Sequence, residues 1–321
     1  MDAMILHLLH PTRFQALLTD EKKHPLTLIQ QRQKIQEALK IVEQQCQQET
    51  GYPAATVTVE SKIRNPGYDI TGKTIQMQYE PSFTGVRYVW DWAHEHAHHE
   101  QSNPNNKHIN YQMAQISREF YPTPPLNIWR QPKPAYISNY NEIIARTASL
   151  RTLTTAYQDL TLLHDFTVED REALLPEYLE CYRQAVLYQE RYDVQAMLRF
   201  NQKQVKHYDP SEALYITLSQ NEVQQFLNQN SLKLYQKAFH QFQTAIKEMA
   251  LVIQQIRDEI GPQRENTKTK QQELARIHQQ HSAGSSTIPN NSFDKNQHEA
   301  LPHEIDSADS PLCDYDEIEE R

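Results

Sequence analysis

Hydrophobic and polar positions follow three different periods along this chain, and each period predicts an element. In "LTLIQQRQKIQEALKIVEQQCQQ" (26–48), Leu28, Ile35, Leu39 and Val42 fall near one face of a 3.6-residue repeat, which predicts an amphipathic helix. "ATVTVE" (55–60) and "KTIQMQYE" (73–80) alternate with period two and predict neighbouring strands of a small sheet. Between them "NPGYDITG" supplies the Asn, Pro and Gly of a turn. A helix is expected through "YVWDWAHEHAHHEQ" (88–101), with Val86, Trp90, Ala93 and Ala97 as its apolar stripe. A proline-rich passage from Pro104 to Pro134 follows, with one short helix expected at about 107–120, and a further helix begins near Tyr140.

From Thr167 to Ile260 the pattern is helical, with breaks expected at Pro176, at "YDPSE" (208–212) and near Asn230. The third period appears in the last helix. Leu232, Tyr235, Phe239, Phe242, Ile246, Met249, Ile253, Ile256 and Ile260 recur at alternating spacings of three and four, as in a coiled coil. The helices at 168–228 carry Leu, Tyr and Val faces that need covering, so this stripe is expected to pack inside a single-chain bundle, as a monomer. Gly261-Pro262 is expected to end it. Beyond about residue 282 the chain is polar and acidic, and too poor in bulky apolar groups to offset the entropy of ordering, which predicts a disordered tail. The expected fold class is α+β, predominantly α-helical. The expected organisation is a first domain over 1–166, a helical region over 167–262, and a linker with acidic tail over 263–321.

Composition narrows the function classes. Six glycines in 321 residues agree with a helical fold. With 32 basic against 41 acidic residues, the net charge of −9 offers no general attraction to nucleic acid or to an anionic membrane. Cys46, Cys181 and Cys313 are widely separated and odd in number, which suits a reducing compartment. The start, "MDAMILHLLHPTRF", lacks the basic region and the apolar length of a signal peptide, and no apolar run is long enough to span a bilayer. A cytosolic working environment is expected.

Candidate chemistry concentrates in "HEHAH" (94–98), which satisfies HExxH. On a helix, His94 and His98 lie one turn apart on one face, so two imidazole nitrogens can meet one Zn²⁺ at about 2.0–2.1 Å. Glu95 beside them is placed to act on a water as general base. His96 and His99 point off that face. A third ligand is needed, and Glu142 in "SNYNEIIARTASL" is the candidate, with Ala145 and Ala148 suited to close packing on Ala93 and Ala97. A competing role for Glu142 is a capping box with Asn139; His108, Glu119 and His164 are other donors. Tyr140, Tyr136 and His108 are candidates to stabilise an oxyanion, with Tyr140 carried forward.

With the N-E-x-x-A helix start at Glu142, HEHAH resembles the gluzincin side of the zincin metallopeptidases over roughly residues 26–165. That resemblance implies a minimal zincin domain, Zn²⁺ held by His94, His98 and Glu142, and peptide hydrolysis with Glu95 as general base. The 43 residues between His98 and Glu142 make a longer insertion than in compact members. The strand ending near Glu80 is expected to offer an edge to an extended protein substrate. A narrower resemblance is to the actin-cleaving metalloprotease effectors that Legionella delivers by type IV secretion. It is carried by the early HExxH helix, the helical region after it and the acidic end "DYDEIEER". It implies secretion into a host cytoplasm, with actin as the first candidate substrate. The alternatives are an intracellular metallopeptidase of the mobile-element or regulatory kind, retained in the bacterial cytoplasm, and a non-enzymatic coiled-coil adaptor in which the histidines are incidental.

Overall fold

The computed structural model describes residues 3–63, 65–121, 134–160 and 166–283. Two short helices, α1 (Ala3–Leu9) and α2 (Pro11–Leu17), precede α3 (Leu28–Thr50), and strands β1 (Thr56–Glu60), β2 (Gly67–Asp69) and β3 (Thr74–Gln78) follow. Then come α4 (Gly85–Glu100), α5 (Tyr111–Glu119), α6 (Pro134–Ile137) and α7 (Tyr140–Leu160). The remainder is α8 (Val168–Glu190), α9 (Val194–Val205), α10 (Gln220–Phe226), a π-helical turn (Leu227–Ser231) and α11 (Leu232–Ala283). The fold is mostly helical with one small sheet, the α+β class expected. No helix among the described residues is long and apolar enough to cross a membrane.

A capping box between Thr27 and Gln30 starts α3, and Gly51 ends it in the left-handed conformation at φ 71°. Ile35, Leu39 and Val42 are buried as the pattern predicts, whereas Leu28 in the first turn is 57% exposed. Val57 and Val59 of β1 and Ile75 and Met77 of β3 point to the same covered side of the sheet.

Two expectations about the sheet need correction. The segment between β1 and β3 is more than a turn, because Gly67–Asp69 forms a third strand antiparallel to β3. Strand order is β1-β3-β2, with β1 parallel to β3, so the strand ending near Glu80 is central and has no free edge; the edge beside it is β2. The connection back to β3 tightens where Asp69 Oδ1 accepts from the Thr71 N–H at 3.0 Å.

Gly85 opens α4 behind its N-cap Thr84. A Cβ at Gly85 would lie 1.7 Å from the Leu8 carbonyl oxygen at the end of α1, and that neighbour is backbone. Gly85→Ala is therefore expected to destabilise the protein by about 3 kcal/mol or more. Urea unfolding followed by circular dichroism checks this; a midpoint within error of wild type would refute the close approach.

Helix breaks were the least reliable expectation. Pro176 sits inside α8, where its ring faces solvent while Leu174, Tyr178, Cys181 and Ala185 bury the opposite side and hold the helix through the missing hydrogen bond. The helices are interrupted between α8 and α9, where Asp193 caps the new helix through the Ala196 N–H, and again over 206–219 between α9 and α10, which holds the break expected at 208–212. Near Asn230 the chain passes through one π turn and continues. Gly261-Pro262 does not end α11, which runs to Ala283, so the expected linker from 263 begins as helix. The tail beyond Ala283 lies outside the described residues.

Apart from Leu232, which is exposed, the apolar stripe of α11 is covered within the chain. Tyr235, Phe242, Ile246, Met249, Ile253 and Ile256 are buried, and Phe239 stacks on Tyr192 with ring centroids 3.7 Å apart. Met1–Lys268 forms one compact unit. The expected boundary at 166/167 is bridged inside it by α8 packing on α4 and α2.

Candidate metal centre

Helices α4 and α7 make the most extensive contact of any two elements among the described residues. Small side chains permit it: Ala93, Ala97 and Ala145 are buried, and the Ser149 hydroxyl donates to the Trp90 carbonyl at 2.9 Å. This approach sets the first turn of α7 beside the middle of α4, and so Glu142 beside His94 and His98.

The three donors converge. His94 Nε2 and His98 Nε2 are 3.2 Å apart, His94 Nε2 is 3.6 Å from Glu142 Oε2, and His98 Nε2 is 3.4 Å from Glu142 Oε1. Donors bonded at 2.0–2.1 Å around a tetrahedral ion stand about 3.3–3.4 Å from one another. The spacing therefore already fits such an ion. Among the described residues, these three form the group of His, Cys, Asp and Glu side chains able to hold a metal. Two imidazoles and a carboxylate suit zinc and leave a fourth position for water or substrate.

Supporting groups orient two of the three donors. His98 Nδ1–H donates to Gln101 Oε1 at 3.0 Å, so in the neutral ring a ligand requires, the Nε2 lone pair is directed at the cluster. Buried Gln101 is itself held, its amide donating to the Asn141 carbonyl at 2.8 Å. Arg146 donates to Glu142 Oε2 at 2.8 Å and to the Ile137 carbonyl at 2.9 Å, and its guanidinium lies 4.1 Å from the Tyr188 ring of α8. The Tyr121 hydroxyl donates to Glu142 Oε1. A carboxylate oxygen has a second lone pair, so these bonds leave Glu142 able to coordinate.

The competing capping role resolves by division of labour. Asn139 accepts from the Asn141 N–H at 2.9 Å, while its own N–H goes to the Tyr136 carbonyl and not to Glu142. Asn139 caps α7 alone, and the Glu142 carboxylate faces the histidines.

Burial dominates the electrostatics. It lowers the His94 pKa to about 3 and so keeps that imidazole neutral, as a ligand must be. Burial also works against the charged forms of Glu142 and His98. The Arg146 guanidinium and then His98 nevertheless hold the Glu142 carboxyl well below the usual range, and the hydrogen bond to Glu142 raises His98. Glu95 is raised to about 7, first by burial; Glu142 and Asp91 add to the rise, while His98 and the Tyr68 main chain oppose it. Asp91, one turn earlier, pairs with Arg87 at 2.8 Å.

The remaining candidates lie elsewhere. The Tyr140 hydroxyl accepts from the Asn110 N–H at 3.1 Å, and its ring packs edge-on to Tyr235. Tyr121 and, against its ring at 5.8 Å, Tyr136 are the tyrosines at the cluster. The Glu119 carboxylate accepts from the Leu214 and Tyr215 N–H groups, and exposed His108 has its main-chain N–H on Asn106. His164 lies outside the described residues. As expected, His96 and His99 turn away: His96 pairs with buried Glu43 at 2.7 Å, and His99 bonds Tyr68 and the Pro53 carbonyl.

Sequence reasoning missed several residues at the site. Arg146 and Gln101 carry local signals, being four residues after Glu142 and three after His98 on their helices. Tyr121, Tyr68 and Glu43 reach the site through the fold and have no such signal. No protein-family model matches the chain, and comparison with curated proteins and with solved structures found no match.

Proposed function

We propose that this chain is a zinc-dependent peptidase acting on an extended protein segment. One observation carries the reading: His94, His98 and Glu142 stand at tetrahedral-ion spacing with the buried carboxyl of Glu95 beside them. When bound, zinc supplies Lewis acidity to a carbonyl and to water. Glu95 takes a proton from the attacking water and returns it to the departing amine, a role suited to a carboxyl held near neutrality. The Tyr121 hydroxyl lies at the Glu142 edge of the cluster and would have to turn its proton away from Glu142 Oε1 to reach a developing oxyanion. β2 lies along α4 and forms the end of the sheet, so an extended substrate would pair there rather than with central β3. The sequence resemblance makes host actin the first substrate to test, and an actin band left intact by zinc-loaded protein would remove it.

A second reading has its own support, because Arg146 already neutralises Glu142 without any metal. Metal analysis separates the two. Wild-type protein should purify with one equivalent of zinc and hydrolyse a protein substrate. Glu142→Gln should lose zinc affinity by more than the about 10–100-fold typical of a changed supporting residue. Stoichiometric zinc in that variant, with only about 1 kcal/mol of lost stability, would return Glu142 to a helix-terminal role.

A further inference from the structure

β2 is three residues long and pairs on one side only, through Gly67↔Gln76, Tyr68↔Ile75 and Asp69↔Thr74. So short an edge strand is weakly held by its ladder. Its middle residue has a second set of contacts, all on α4 and the turn after it. The Tyr68 hydroxyl donates to His99 Nδ1 at 2.9 Å, and the proton on His99 Nε2 is donated to the Pro53 carbonyl at 2.8 Å. The two rings meet edge-on with centroids 5.4 Å apart, and Tyr52 closes over the other side of His99 at 4.9 Å. Ser102, in the turn after α4, lies near the same phenol. Ser102 Oγ in turn accepts from Arg118 at 2.9 Å, and the same guanidinium donates to the His98 carbonyl at 3.0 Å. At its other end, the Tyr68 main chain lies close enough to the Glu95 carboxyl to favour its charged form. Glu95 and His99 lie one turn apart on one face of α4. The tyrosine therefore runs along that turn, main chain near Glu95 and phenol at His99.

We propose that Tyr68 and His99 form a latch that fixes edge strand β2 on α4 and thereby positions the Glu95 carboxylate. The consequence for chemistry rests on the peptidase reading above; the latch itself does not. A buried carboxylate on a helix has several rotamers, and a main-chain donor on a fixed strand selects one of them. The phenol–imidazole bond holds that donor in place. Tyr68 and His99 are positioning residues and touch no reacting atom.

The test uses full-length zinc-loaded protein and two independent readouts. Tyr68→Phe keeps the ring and the main chain and deletes the hydroxyl. It should retain zinc at the wild-type stoichiometry, speed amide exchange across residues 66–70 about tenfold or more, and lower kcat about tenfold with KM changed less than about threefold, a loss of about 1.4 kcal/mol at the transition state. Glu95→Gln should raise exchange at the Tyr68 amide itself, because a neutral amide is a weaker acceptor than a carboxylate. Wild-type exchange in Tyr68→Phe would overturn the latch, and an unmoved Tyr68 amide in Glu95→Gln would overturn its link to Glu95. Faster exchange with kcat unchanged would overturn the positioning role. If zinc-loaded wild type hydrolyses no peptide, the peptidase reading fails by itself while the exchange data still decide the latch. His99→Gln provides a second route to the same loss, and the double variant should be no worse than either single one.

Discussion

Glu95→Gln is expected to leave the fold and one equivalent of zinc in place while lowering peptide hydrolysis by about 10²–10⁴-fold. The prediction follows from geometry. Glu95 is buried next to the donor cluster, yet the three atoms at ion spacing come from His94, His98 and Glu142, so Glu95 handles protons and is no ligand. Gln preserves volume, but it cannot take a proton from water. His94→Ala and His98→Ala should behave differently, each removing an imidazole and with it both zinc and activity. Metal analysis beside a proteolysis assay on the three variants distinguishes the roles. Normal hydrolysis by Glu95→Gln would end the proposed mechanism, and loss of zinc from it would make Glu95 part of the metal shell.

The second large effect is expected at Arg146. Glu142 is 1% exposed; His94 and His98 lie within ion-pair distance of it, and Arg146, buried between Tyr188 and Tyr136, is its permanently charged partner there. Arg146→Met leaves that carboxylate without its counter-charge, and breaking a buried pair from one side costs about 3–5 kcal/mol. The sign with pH follows from the lowered Glu142 pKa. A depressed carboxylate contributes stability above its unfolded value, near 4.5, and loses it as pH falls through the folded value. The zinc-free variant should therefore fall furthest below wild type near neutral pH and approach it in acid, where Glu142 protonates. Zinc brings positive charge to the same carboxylate, so the rise in Tm on adding zinc should be larger for Arg146→Met than for wild type. Equal zinc shifts in the two proteins would show that metal and arginine do not share Glu142.

Much of the site was legible because its central relation is local. Four residues on a helix is one turn, so HEHAH places two imidazoles together whatever surrounds it. The alanines at 93, 97 and 145 likewise announced a close helix crossing. Strand alternation located β1 and β3, and the heptad stripe of α11 buried the face it predicted. Punctuation residues misled: Pro176 is carried inside α8 by that helix's buried side, and Gly261-Pro262 lies within the span of α11.

Contacts distant in sequence were decided by the fold alone. Three residues of β2 are too few to show a period, so the edge strand and its tyrosine looked like a turn. Tyr121 reaches Glu142 across 21 residues and Glu43 reaches His96 across 53, separations over which side-chain type says nothing about proximity. Local spacing determined which residues can act together on one helix. Whether Glu142 caps its helix or faces the histidines depended on how closely α7 approaches α4, and that distance is set by the packing of the whole core.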